Sequence, residues 1–162
     1  MSSTRSLSLT RTVLRVLLVI NPILGVAILV LLVASIRYED WVFHALTHMP
    51  PDAIRAMASG LRVVMVIGIV AVPLNHVILT RLEVMVATVQ GGDPFLAANA
   101  ARLRAIAWAL LGLQILNLIA SSMGGIDVDV SIAGWIAVLL LFVLAQVFEE
   151  GARMRADLEG TI

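Results

Sequence analysis

Four stretches of this chain contain no charged residue, and each is long enough to cross a lipid bilayer. Val16 to Ile36 is 21 residues, Val63 to Thr80 is 18, Ala105 to Ile126 is 22 and Val130 to Phe148 is 19. A helix needs roughly 20 apolar residues to span a hydrocarbon core about 30 Å thick. That core holds no water, so each backbone polar group must bond within the spanning segment, and helices do this. A barrel would instead show alternating segments of about ten residues, and none is present. The expectation is one all-α integral membrane domain over residues 1–162, a four-helix antiparallel bundle with cytoplasmic helix extensions. Its spans are expected at about 14–36, 60–81, 104–123 and 131–149.

Composition agrees. The chain is 60% hydrophobic and 14% charged, with a mean hydropathy of +1.03, where a soluble domain runs near half and a quarter. Abundant apolar surface at zero net charge excludes disorder. Cysteine is absent, which removes disulfides, thiolate metal centres, iron–sulfur clusters and cysteine catalysis. Arg5, Arg11 and Arg15 before the first stretch give it the flank of a signal peptide. Its apolar run exceeds the roughly 7–15 residues of such a segment, so it is expected to be the first span.

Orientation follows from arginine, since every basic residue is Arg. Arg5, Arg11, Arg15, Arg81, Arg102, Arg104, Arg153 and Arg155 fall on one side. Arg37, Arg55 and Arg62 fall on the other, diluted by Glu39, Asp40, Asp52, Asp127 and Asp129. This excess places both termini in the cytoplasm, and membrane lipids are the surroundings it implies.

The connections differ in kind. After the first span, Tyr38, Trp41 and Phe43 suit an aromatic anchor at the headgroup level. Trp41, Leu46 and Met49 have the spacing of a short helix, which Pro50-Pro51 stops, and Pro51 with Asp52 suits the next helix start. On the inner side Leu82, Met85, Val86 and Val89 continue a helical stripe as far as Gly91-Gly92. Asp93 then suits an N-cap and Pro94 a first helical position, with Phe95 to Arg104 running into the third span. Beyond the fourth span, Glu149 and Arg153 are expected to pair at i,i+4.

Gly92-Asp93-Pro94-Phe95, Asn99 and Arg102-Leu103-Arg104 resemble the signature of the domain-of-unknown-function 2975 family, small four-span proteins of the bacterial inner membrane. Leu144 to Phe148, Gly151 and the terminal Leu158 to Ile162 are similar to that family's last helix and tail. Gln146 departs from it, standing where an acidic residue is expected. The resemblance implies a bacterial inner-membrane location and a small cytoplasmic helix-turn-helix transcription regulator as partner. It implies no enzyme activity and no cofactor.

Several residues invite a chemical reading. Asn75 and His76 lie in the second span just after Pro73, and Gln114 and Asn117 lie in the third. Polar side chains there must pair or face a cavity. They form either a sensing or transport site or, more simply, interhelical hydrogen bonds. His44 and His48, four apart, have the spacing of metal ligands. Pro50 and Pro51 break the register to Asp52, so a solvated loop face is the simpler reading. No catalytic set is visible, and a non-enzyme is expected. The inner charges are too mixed in sign for direct nucleic-acid binding. Ala105, Ala109 and Gly112 permit close helix packing, within one chain or in a homo-oligomer.

Two functional expectations follow. The first is a regulatory module that binds the soluble regulator through Asp93, Pro94, Phe95, Asn99, Arg102 and Arg104, with Met154, Leu158 and Ile162 beside them. The second is a subunit of a small oligomeric channel or transporter built on Asn75, His76, Gln114 and Asn117.

Overall fold

A computed structural model describes residues 2–38, 41, 51–91, 96–123 and 131–159. These form four long helices: α1 (Ser2–Arg37), α2 (Pro51–Gln90), α3 (Ala97–Met123) and α4 (Ile132–Glu159). All four are long and apolar enough to cross a membrane. Each contains or nearly contains one of the expected spans and runs past it, most of all α1 and α2.

The ends follow local chemistry. Pro51 opens α2, where its missing N–H is not needed. α2 closes as the Gly91 N–H donates to the Ala87 carbonyl at 3.1 Å. Ser131 caps α4: its Oγ accepts from the Gly134 N–H at 3.4 Å, and its carbonyl accepts from the same N–H at 3.0 Å. α3 begins at Ala97, with the Asn99 N–H donating to the Leu96 carbonyl at 2.8 Å. The Asp93 cap and the Pro94 helix start lie outside the described residues. Pro22 and Pro73 are both inside helices, where each removes one backbone donor.

Packing is serial. Contacts join α1 to α2, α2 to α3 and α3 to α4, and no other pair among the described residues. The four helices therefore form an open row, not a ring closed between α1 and α4. In every seam the contacts climb one helix while descending the next. Arg15 meets Glu83, Asn21 meets Val72, Ile28 meets Gly68 and Ser35 meets Arg62. Leu74 meets Gly112, and Trp108 meets Phe142 edge-to-face with ring centroids 5.4 Å apart.

The side of α1 that α2 covers is Arg11, Leu14, Leu18, Asn21, Gly25, Ile28, Leu32 and Ser35, all buried or half-buried. Alternating steps of three and four residues are the seam of left-handed helix packing. Most of α1's other apolar side chains are exposed. The core sits instead around α3, which supplies Ala100, Leu103, Ile106, Ala107, Ala109 and Ala120. Of the small residues expected to allow close approach, Ala109 is buried and Gly112 lies against Leu74. They serve packing within the chain.

Candidate functional site

Polar side chains along the apolar stretches stand at similar heights but in different seams. Asn21 donates from Nδ2 to the Val72 carbonyl at 3.0 Å, tying α1 to α2 one residue before Pro73. Gln114 lays its amide over Gly134, in the seam between α3 and α4. Gly112, two residues earlier, meets Leu74, so Gln114 stands near the height of Pro73. Asn75 is half-buried in a groove between α1 and α2. His76 is exposed, as is Asn117.

The interhelical hydrogen bond expected of His76, with Asn21, Gln114, Asn117 or Gln146 available as partner, is not formed among the described residues. Gln114 is turned to α4, and His76 and Asn117 are both exposed. The four expected intramembrane residues thus do not converge on one site. Among the described residues no group of three metal-binding side chains comes together, and His44 and His48 lie outside those residues.

The arginine-rich end is different, because each seam is tied there by side chains. Between α1 and α2, Arg15 Nε donates to Glu83 Oε1 at 3.1 Å, and Arg11 stands 3.5 Å from the same oxygen. Glu83 lies beyond the apolar stretch that ends at Thr80. The Arg15 hydrogen bond, opposed by partial desolvation and aided by Arg11, holds its carboxyl below the usual carboxylate range. Arg11 also reaches Gln90.

Between α2 and α3 runs a chain of bonds. Arg102 Nη1 donates to Asn99 Oδ1 at 2.6 Å, Asn99 Nδ2 donates to Thr88 Oγ1 at 3.0 Å, and Thr88 donates to the Met85 carbonyl at 2.7 Å. Between α3 and α4, Arg104 pairs with Glu149. Arg153 pairs with Glu150 at 2.7 Å, which corrects the expected Glu149–Arg153 pair. Glu149 is drawn across the seam by Arg104, leaving Arg153 to the nearer carboxylate one turn back.

This geometry redistributes the expected docking residues. Asn99 is 1% exposed, so it joins two helices and presents nothing to a partner. Its carboxamide is buried because it satisfies Thr88 and Arg102 together. Arg102 is half-buried, and Arg104 is exposed beside Glu149. Asp93, Pro94 and Phe95 lie outside the described residues, as does Ile162. Met154 and Leu158 are 55% and 72% exposed on the end of α4, and Phe95, beside which they are expected, lies outside the described residues.

At the other end, Arg62 is a half-buried helix residue. Its Nη2 donates to the Ser35 carbonyl at 2.8 Å. Ser35 lies in the last turn of α1, whose carbonyls lack helical partners. A charge read from sequence as a flank of the second span is therefore also a cap on α1. Asn21, Gly25 and Ser35 are the signal that could have located this seam, since they stand among the few small or polar residues of the stretch from Val16 to Ile36.

Comparison with protein-family models, curated proteins and solved structures returns no match. The resemblance to the domain-of-unknown-function 2975 family gains no support from it.

Proposed function

We propose that this chain is a multi-pass protein of the bacterial inner membrane whose four antiparallel spans carry an interaction platform on their cytoplasmic end. The platform holds a small soluble transcription regulator, and the helix-turn-helix class implied by the resemblance is the first to test. The observation that carries the reading is the contrast between the two polar systems. At the arginine-rich end all three seams are tied by side-chain bonds, and Met154 and Leu158 stand exposed next to Arg153 and Arg155. Exposed large apolar groups beside charges suit a protein contact.

Along the spans, Asn21 and Gln114 are used in separate seams, His76 and Asn117 are exposed, and no charged side chain stands among them. A transporter would need such groups around one path. This favours the regulatory reading over the channel.

Co-fractionation tests it. Wild-type membranes should retain the soluble regulator, whereas Phe95→Ala and removal of residues 154–162 should each release it with the membrane protein still in place. A regulator that stays bound to both variants, or is never retained by wild type, overturns the reading. Solute uptake abolished by alanine at Asn75, His76, Gln114 and Asn117 would put the channel ahead.

A further inference from the structure

Along α1, outside its seam with α2, runs a groove of about 440 Å³ lined by Thr12, Arg15, Val16, Val19 and Ile20. Thr12 to Ile20 is about 12 Å of helix at 1.5 Å per residue, and the charge-free stretch begins inside it, at Val16. The groove is therefore polar at one end and apolar at the other. Arg15 is bonded to Glu83, just past the end of the second charge-free stretch, so two span boundaries meet at the height of the polar end. Below that height Val16, Val19 and Ile20 are exposed. Arg11 and Arg15 share the single carboxylate of Glu83, and α1 contains no acidic residue from Ser2 to Arg37. Glu149, Glu150 and Asp157 stand on α4, which does not touch α1. Positive charge is thus in excess here among the described residues. Glu83 holds Arg15 through Nε, the Arg15 side chain is 62% exposed, and a guanidinium has further N–H donors beyond that one.

We propose that this groove seats one anionic phospholipid of the leaflet at the arginine-rich end. The phosphate oxygens take the remaining Arg15 donors, a charge-assisted contact to which guanidinium geometry is suited. One acyl chain lies over Val16, Val19 and Ile20. Cation at the boundary and apolar side chains toward the bilayer centre follow the order of headgroup and chain in the lipid. A soluble anion would use the first and leave the second uncovered. The far end of α1 supplies a comparison, a groove of about 440 Å³ that includes Val30, Val33, Arg37 and Tyr38. There Glu39 and Asp40 follow within three residues of Arg37 and offset its charge. Charge therefore selects the Arg15 groove for an anionic lipid, as basic residues at a membrane surface do. The inference rests on the membrane-spanning part of the proposed function and is independent of the regulator.

The test is native mass spectrometry of the purified chain, without regulator, released from mixed micelles holding equal phosphatidylglycerol and phosphatidylcholine. Wild type should retain the anionic lipid about fivefold over the zwitterionic one, the weight of one basic residue facing an anionic surface. Arg15→Gln should abolish that preference. Glu83→Gln should raise it, because loss of the carboxylate frees Arg15 and leaves more positive charge. Both variants break the same ion pair, so a merely structural role would move them in one direction. Val19→Trp, which fills the groove below Arg15, should lower the preference, and Arg37→Gln should leave it unchanged. Equal retention of both lipids by wild type, a shift of Glu83→Gln in the same direction as Arg15→Gln, or equal losses from Arg15→Gln and Arg37→Gln would overturn the proposal. So would displacement of the bound lipid by excess inorganic phosphate, which would show a site for the anion alone. Flotation of the chain with reconstituted vesicles checks the spanning part by itself, and regulator capture does not enter the measurement, so the readings fail separately.

Discussion

The side-chain amide of Gln114 on α3 occupies the space that a β-carbon on Gly134 of α4 would need. Only glycine lets this polar group lie flat against the next helix. Gly134→Ala should therefore push the Gln114 amide, the far end of a flexible side chain, off this seat, at a cost below the roughly 1–3 kcal/mol usual for overpacking. Removing the obstacle with Gln114→Ala in the same chain should recover part of that loss. Denaturant unfolding in mixed micelles measures both, and a loss above about 3 kcal/mol would show that the amide cannot move aside.

The Glu83 carboxyl is held below its ordinary value of 4.5 by Arg15 and then Arg11. A carboxylate with a depressed folded pKa stabilises the fold above its unfolded pKa, and that stability is lost as pH falls through the folded value. Wild type should therefore exceed Glu83→Gln in stability at neutral pH. The difference should shrink progressively below pH 4.5, in thermal unfolding followed by helical signal. A gap that persists unchanged into strong acid would show that the pair does not titrate with folding.

Asn99 and Arg104 both carry cross-helix bonds, yet they should differ in weight. Asn99 is buried between Thr88 and Arg102, so Asn99→Ala leaves polar partners without their bonds at a cost of about 1–3 kcal/mol. Arg104 and Glu149 are exposed, and Arg104→Ala should cost under about 1 kcal/mol. A reversed order in a chemical denaturation series would contradict the burial argument.

Membrane orientation is open to a direct check. Reporter fusions at residues 93 and 162 should read cytoplasmic, and one at residue 45 should read external, as the arginine excess requires. A cytoplasmic signal at residue 45 would remove the four-span topology.

Much of the architecture is legible along the chain. Helix number, the Pro51 start of α2 and its close at Gly91 follow from runs of apolar residues and from backbone chemistry at proline and glycine. The sites were less legible. Asn99, expected on a docking surface, is a buried tie, and Glu149 bonds Arg104, not Arg153. Sequence spacing ranks partners within one helix, whereas these side chains chose partners on the next.

What the sequence by itself determines is that this protein forms four helices apolar enough for a bilayer, because charge-free length is a property of each segment alone. Which side of each helix meets a neighbour was decided only in three dimensions. Over Val16 to Ile36, α1 is apolar nearly all round, so hydropathy alone hardly distinguishes the face toward α2 from the faces left open. The choice falls to close fit and scarce polar groups: Gly25 against Val72, Gly68 against Ile28, and Asn21 on the Val72 carbonyl. Packing and hydrogen bonding orient helices that the hydrophobic effect would leave free to turn, since lipid and protein interiors are about equally apolar.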